Sequence, residues 1–131
     1  KTWAGSWILA KHLEGRLGTA GARPQQRFLD LSCGTGLAGI ALALAGHEVV
    51  LTDLEMNVPT IRANMGRNKL RGKGGLARAV SYAWGSPLPE EMRCAFDVVC
   101  CGDLIYHVWS GKLHSEFLGT LQHLQMLHMR H

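Results

Sequence analysis

Three glycines and one aspartate are the residues whose types and spacing point most directly to chemistry. Gly34, Gly36 and Gly39 form a G-x-G-x-x-G pattern, and Asp53 follows 19 residues after Gly34. Glycines let a backbone turn approach a ligand at a helix N-terminus, and a carboxylate accepts from both ribose hydroxyls of an adenosine. The alternatives are a tight strand-to-helix turn for the glycines and a helix cap or turn for Asp53.

Two apolar runs flank this glycine pattern. The first, Phe28–Leu31, is interrupted only by Asp30, which suits a buried parallel strand. The second, Leu37–Ala45, is rich in Ala and Leu and is followed by Gly46, which suits a helix with a glycine stop. Strand, glycine turn and helix are the opening unit of a Rossmann-like fold.

The rest of the chain repeats the alternation. Apolar residues at helical spacing predict a leading helix over Trp3–Leu13. Strands are predicted over Glu48–Thr52, Ala79–Ala83 and Phe96–Gly102. A second helix is predicted over Asn57–Leu70, with Asn57 as its cap, and a third from Gly111 onward. This order predicts an α/β fold with a doubly wound, mostly parallel sheet. We expect a single domain over residues 1–131, with 1–14 as its leading helix.

The candidate functional residues follow predicted strands. Asp30 with the glycine turn, Asp53, Trp84 and the pair Gly102-Asp103 all fall at carboxyl ends. Ligands of such sheets bind outside these ends, at the point where the strand order reverses. Trp84 either stacks on an adenine or covers the core. The convergence predicts one binding site along this edge.

Size and composition suit one globular domain. The chain has 131 residues, of which 47% are apolar. No apolar stretch reaches the roughly 20 residues of a membrane span, because Asp30, His47 and Glu48 interrupt the Leu29–Val50 region. We therefore expect no membrane partner.

The cysteines and histidines bear on compartment and metals. None of Cys33, Cys94, Cys100 and Cys101 lies in a C-x-x-C pair, which favours buried free thiols in a reducing compartment. We expect a cytoplasmic protein, with the nucleus as the alternative. The histidines show no H-x-x-x-H or Cys–His spacing, which favours surface residues over a metal site.

The net charge is +4, and its densest patch is formed by Arg67, Lys69, Arg71 and Lys73. No aromatic residue lies among these charges to stack on bases. A solvated loop is therefore favoured over a nucleic-acid contact, and attraction to an acidic protein stays open.

Four segments carry a resemblance to a known family. They are Trp3–Ala10, Leu29–Ile40, Leu51–Leu54 with the later Asn64 and Asn68, and Cys101–Tyr106, which contains a D-x-x-Y motif. At these residues the chain resembles class I, seven-β-strand S-adenosylmethionine-dependent methyltransferases. More narrowly, it is similar to the protein-lysine methyltransferase group often called methyltransferase family 16.

The resemblance implies a cofactor, a substrate and site residues. The cofactor would be S-adenosyl-L-methionine, and the methyl acceptor a lysine side chain of a protein. The implied cofactor contacts are Trp3, Asp30, Ser32, Cys33, Gly34, Gly36, Asp53, Trp84 and Gly102. Asp103 and Tyr106 would line the methyl-acceptor channel as the catalytic residues.

The chain departs from the family pattern in two respects. Ser32 stands where the family has its first glycine, and we expect it to crowd the methionine end of the cofactor. The family continues with three further strands, so the chain resembles a form truncated after the fourth strand and its helix. The fourth strand would then form an apolar edge, which predicts self-association.

Two rival functions remain open. A nicotinamide-dependent oxidoreductase would use the same glycines and Asp53, but it would not need the Asp103-x-x-Tyr106 motif or the leading tryptophan helix. A non-catalytic interaction protein of the same fold would keep the sheet and lose turnover.

Overall fold

A computed structural model describes residues 4–17, 24–70, 76–102 and 104–130. The helices are α1 (Ala4–Leu17), α2 (Leu37–Leu44), α3 (Val58–Arg67), α4 (Ile105–Ser110) and α5 (His114–Arg130). The strands are β1 (Arg27–Leu31), β2 (Glu48–Asp53), β3 (Ala77–Ser81) and β4 (Val98–Cys100). Trp3, Asp103 and residues 71–75 of the basic loop lie outside the described part of the chain.

The four strands form one parallel sheet in the order β3-β2-β1-β4. β1 is paired on both sides, with Asp30 opposite Leu51 of β2 and Cys100 of β4. Parallel neighbours require crossover connections, and α2 and α3 supply them between the first three strands. The α/β prediction is confirmed.

Alternation along the strands creates two apolar layers. Phe28 of β1 and Leu51 of β2 contribute to the layer that also contains residues of α2 and α3. Leu29 of β1 and Val50 of β2 contribute to the opposite layer, which α5 covers. Successive side chains of a strand point to opposite faces, so Asp30 lies on the same face as Phe28.

Several element boundaries differ from the predicted ones. β4 contains three residues, not the seven predicted, and β3 begins two residues earlier than predicted. The helix predicted from Gly111 onward corresponds to α5, and α4, which lies between β4 and Gly111, was not predicted. None of the helices in the described ranges is both long and apolar enough to span a membrane.

β4 is the outermost strand on its side of the sheet within the described ranges, and it pairs only with β1. Leu9 of α1 lies close to Gly102, because a Cβ atom on that glycine would be 3.2 Å from Leu9 Cδ2. The helix α1 therefore packs beside the carboxyl end of β4.

Candidate functional site

The turn between β1 and α2 contains several residues in the left-handed region of backbone space. Ser32 has a φ of 60°, Gly34 of 61° and Gly36 of 85°. The Cys33 N–H donates to the Thr52 carbonyl at 2.8 Å, which fastens the turn to β2. The Gly36 N–H donates to the Cys33 carbonyl at 2.9 Å and closes the turn. Residues with a Cβ atom rarely adopt the conformation of Ser32, so glycine would be less strained at this position.

The three glycines of the motif differ in their surroundings. A Cβ atom on Gly34 would have no heavy atom within 4 Å, so this position faces open space. A Cβ on Gly36 would lie 3.1 Å from Leu51 Cδ2 and one on Gly39 only 2.6 Å from that atom. Gly39 therefore lets α2 pack closely against β2, whereas Gly34 leaves room for a ligand.

Asp53, at the end of β2, is 8% exposed and its carboxylate accepts three hydrogen bonds. The Gly34 N–H donates to Oδ2, and the Leu54 N–H and the Asn57 Nδ2 amide donate to Oδ1, each at 2.8 Å. A carboxylate has about four lone-pair positions, so a ligand hydroxyl can still donate to Oδ2.

Asn57 occupies the N-cap position of α3, as predicted, but its side chain does not cap the helix. Asn57 precedes α3 and closes a short 3-10 turn over Glu55–Asn57, and its side chain makes no capping bond to the helix. The Asn57 amide is used instead to hold Asp53. The buried carboxylate offers a charge-assisted bond, which is stronger than a neutral cap bond.

Asp30 is buried at 2% exposure, beneath the first turn of α2. Its Oδ2 atom accepts a 2.9 Å hydrogen bond from the N–H of Gly39, the third residue of that helix. Gly36 occupies the N-cap position and has no side chain to cap the helix, so Asp30 supplies this bond from β1. Burial raises the pKa of Asp30 to about 7; the charge of Asp53 adds to the rise, and the Gly39 N–H opposes it.

Asn64 of α3 is a residue whose role sequence reasoning did not derive. Its Nδ2 amide donates to the carbonyl of Thr35 in the glycine turn at 2.9 Å, and Arg67 Nη1 donates to its Oδ1 at 2.9 Å. The turn is thus held from β2 and from α3. In the sequence, Asn64 was noticed only as one of two asparagines that follow Leu51–Leu54 in the resemblance to the family.

Trp84 lies in the turn after β3 and packs against α5. Its ring centroid is 4.9 Å from that of Phe117, and the indole belongs to the apolar layer beneath α5. Thr120 of α5 fastens the same turn by accepting from the Gly85 N–H at 3.1 Å and by bonding the Tyr82 hydroxyl at 2.9 Å. Trp84 thus covers the core, which was one of the two alternatives for this residue, and its stacking on an adenine stays a prediction.

Two further predicted site residues, Gly102 and Tyr106, follow β4. Gly102 follows this strand, next to α1, and Tyr106 lies in the first turn of α4. Trp3 and Asp103 lie outside the described ranges.

The thiols of Cys33, Cys94, Cys100 and Cys101 are all free, but only Cys33 and Cys100 are buried, so the expectation of four buried thiols is wrong for Cys94 and Cys101.

These residues share the carboxyl edge of one parallel sheet. The chain passes from β1 outward to β2 and β3 and then returns to β4 on the other side of β1, so the strand order reverses between β1 and β4. The glycine turn leaves β1 at this reversal, where such sheets bind their ligands. The arrangement suits a ligand whose ribose hydroxyls donate to Asp53 and whose neighbouring group lies over the turn at Gly34.

Residues 1–128 match the family described as "Lysine methyltransferase". The chain belongs to this lysine methyltransferase family. Among its relatives, protein N-lysine methyltransferase METTL21A of Danio rerio is 29% identical over 123 residues, which cover 93% of this chain and 53% of that protein. EEF1A lysine methyltransferase 3 of Mus musculus is 33% identical over 99 residues, covering 76% and 40% of the two chains.

Two solved structures have a similar fold. The SAM-dependent methyltransferase from Agrobacterium tumefaciens superposes with a TM-score of 0.60 at 19% identity, covering 75% of this chain and 31% of that one. The N-terminal domain of EvdMO1 with SAH bound has a TM-score of 0.55 at 20% identity, covering 81% and 41%. This member of the lysine methyltransferase family spans about half the length of the curated relatives that it matches.

Proposed function

We propose that this chain carries the cofactor-binding part of an S-adenosyl-L-methionine-dependent enzyme that methylates a lysine side chain of a protein. The observation that carries the proposal is the glycine turn at Gly34, joined to Asp53 at the strand-order reversal, in a member of the lysine methyltransferase family. A structural neighbour crystallised with SAH has the same fold.

The residues present suit this cofactor. Gly34 faces open space, and Asp53 keeps acceptor capacity on Oδ2 for a ribose hydroxyl. The buried Asp30 lies beside the turn and has no cation to balance it among the described residues, which suits a ligand that carries positive charge. When bound, S-adenosylmethionine supplies a methyl group on a sulfonium, which a neutral amine can accept by in-line displacement.

The chain's own residues would bind, align and exclude water. Ser32, Cys33 and Gly36 would shape the turn beneath the cofactor, and Trp3, Trp84 and Gly102 would surround it. Alignment and removal of water supply most of the acceleration for such a transfer. The Ser32 side chain, at a φ of 60°, is expected to crowd the methionine end.

Asp103 and Tyr106 would serve the methyl acceptor. A lysine arrives as an ammonium and must lose a proton before it can attack, either to water or to Asp103. The aromatic face of Tyr106 suits a methylated ammonium by cation–π attraction. Asp103→Ala, in the complete protein, should lower turnover and leave affinity for S-adenosylhomocysteine nearly unchanged. If both fall together, Asp103 belongs to the cofactor shell or to the fold.

The partner would be a protein with an accessible lysine. The relatives are named as protein lysine methyltransferases, and one of them for EEF1A. A cytoplasmic location, with the nucleus as the alternative, is part of this proposal, because cysteines without a C-x-x-C pair favour a reducing compartment. A second, non-catalytic role in self-association is favoured by the unpaired outer edge of β4 in the described ranges.

Calorimetric and thermal-shift titrations test the cofactor. S-adenosylhomocysteine should bind and raise the melting temperature, since a ligand bound only by the folded state stabilises it, whereas NAD should not. Stabilisation by NAD alone would contradict the proposal and favour an oxidoreductase. Transfer of a labelled methyl group to a protein lysine, assayed with the complete protein, then tests the activity.

A further inference from the structure

Asp30 is a buried carboxyl group that accepts one hydrogen bond from the described part of the chain. The side chain is 2% exposed, and its Oδ2 atom accepts from the Gly39 N–H at 2.9 Å. No lysine, arginine or histidine in the described ranges pairs with it; the ion pairs found there join Lys11 to Glu14 and Arg27 to Glu48. A buried carboxylate without a cation is costly, so this group is sensitive to any charge brought near it.

The titratable groups that face Asp30 from neighbouring elements are all acids. They are Asp53 of β2, Cys33 of the glycine turn, Cys100 of β4 and Cys101, which follows β4. Burial first, and then the charge of Asp30, raises the pKa of Cys100 to about 12. From α2, Asp30 receives only the backbone N–H of Gly39. Nothing described on these elements can supply a positive charge.

The position of Asp30 connects it to the proposed cofactor site. A Cβ atom on Gly39 would lie 3.0 Å from Asp30 Oδ2, so the carboxyl group packs directly under the first turn of α2. The same turn begins at Gly36, the last residue of the glycine loop. A cationic ligand over this loop would therefore lie near the buried carboxyl group.

We propose that Asp30 is protonated in the ligand-free protein and that it loses this proton to the solvent when the cofactor binds. The inference rests on the proposed function, because it takes the ligand to be a cationic adenosyl amino acid. The carboxyl O–H bond breaks, the electron pair stays on the carboxylate, and the proton passes to the buffer. The ligand's positive charge then balances Asp30, which no described protein group does.

The coupling predicts a specific dependence of affinity on pH. A nearby positive charge favours the charged form of a carboxyl group. Because burial raises the pKa of Asp30 to about 7, the dissociation constant should fall by up to about tenfold per pH unit below pH 7 and level off above it. At pH 6 binding should release close to one proton, and at pH 8 almost none.

The test is titration calorimetry of the 131-residue chain with S-adenosylmethionine, which carries the positive sulfonium and meets no methyl acceptor in the titration. Measurements at pH 6 and pH 8, each in two buffers with different ionisation enthalpies, give the number of protons released per ligand. The wild-type count needs no variant, so the test does not depend on whether a substituted chain folds. Release of about one proton at pH 6 supports the coupling.

Two variants assign the proton. Asp30→Asn keeps an acceptor for the Gly39 N–H and should bind with an affinity that no longer changes between pH 6 and pH 8. Asp97→Asn, at the amino end of β4, removes a carboxylate bonded to the Arg27 N–H and should keep the wild-type pH dependence. Equal pH dependence in Asp30→Asn and wild type would show that another group releases the proton.

The outcomes separate this inference from the proposed function. Binding without proton release at pH 6 would overturn the coupling and leave the cofactor proposal intact. Absence of binding at every pH would overturn the proposed function, and the coupling with it.

Discussion

The Oδ2 atom of Asp53 accepts a 2.8 Å hydrogen bond from the backbone N–H of Gly34. These residues are 19 positions apart, yet they meet because β1 and β2 are parallel neighbours whose carboxyl ends share one edge. The bond joins the carboxylate at the end of β2 to the glycine turn after β1. The carboxylate proposed to bind the ribose is therefore hydrogen-bonded directly to the glycine turn proposed to hold the cofactor.

Asp53→Ala should weaken S-adenosylhomocysteine binding by about 1.5–3 kcal/mol, the range for hydrogen bonds to charged groups. Asn57→Ala is the graded control: it removes one of three donors to Asp53, and the Gly34 and Leu54 N–H groups still hold the carboxylate. We expect a smaller loss for it. Calorimetry measures both, and unchanged affinity in a folded Asp53→Ala protein would leave Asp53 with a structural role only.

Ser32→Gly should stabilise the fold by about 0.5–1 kcal/mol. Ser32 has a φ of 60°, where a residue with a side chain costs roughly 1–2 kcal/mol, and glycine relieves this strain. The greater conformational freedom of glycine in the unfolded chain offsets part of this stabilisation. Ser115→Gly makes the same chemical change in the helix α5 and should instead destabilise. Urea denaturation of the two variants distinguishes backbone strain from a general effect of glycine; destabilisation by Ser32→Gly would show that the Ser32 side chain makes a needed contact.

Gly39→Ala should destabilise the protein by about 1–3 kcal/mol, the usual cost of overpacking. The added Cβ would lie 2.6 Å from Leu51 Cδ2, so α2 must move away from β2 or Leu51 must change rotamer. Gly119→Ala in α5 is the matched control, because its Cβ would meet nothing within 4 Å and alanine favours a helix. Thermal melts should therefore shift in opposite directions; a shift of the same sign in both would contradict the close packing of Gly39.

Asp30→Asn should stabilise the ligand-free protein increasingly as pH rises from about 4 to 7. The unfolded carboxyl ionises near 3.8, whereas burial keeps the pKa of the folded group near 7. The folded state thus binds more protons in this window, and its free energy of unfolding falls as pH rises. Above pH 7 the variant should be more stable by roughly 1–4 kcal/mol, since each pKa unit is worth about 1.4 kcal/mol.

Denaturation of wild type and Asp30→Asn at a series of pH values measures this effect, because the contributions of all other groups largely cancel in the difference. A difference that stays constant from pH 4 to pH 8 would show that Asp30 does not titrate on folding.

The outer edge of β4 should promote self-association of the 131-residue chain. Val98, Val99 and Cys100 are apolar, and the strand pairs only with β1 in the described ranges. Size-exclusion chromatography with light scattering, over a concentration series in reducing buffer, should show a mass that rises with concentration. Cys101→Ser controls for disulfide-linked dimers, since Cys101 is an exposed thiol. A monomer with a sharp melt at all concentrations would contradict the prediction.

Local signals predicted the elements well and their ends less well. The run over Phe28–Leu31, the break on small residues and the Ala- and Leu-rich segment correspond to β1, the turn and α2. The short helix α4, which precedes Gly111, was not predicted, and β4 proved shorter than its apolar run. A run of apolar residues records burial, but it does not record where hydrogen-bonded pairing stops.

The sequence by itself determined the α/β alternation, the glycine turn and the presence of a carboxylate at the end of β2, because these depend on backbone preferences and apolar period. Only the tertiary structure decided which donors the side chains bind. Asn57 holds Asp53 and leaves the helix uncapped, Trp84 packs on Phe117, and Asp30 caps α2 from another element. The physical reason is that hydrogen bonding and burial depend on distances between elements far apart in the chain, which local residue types do not encode.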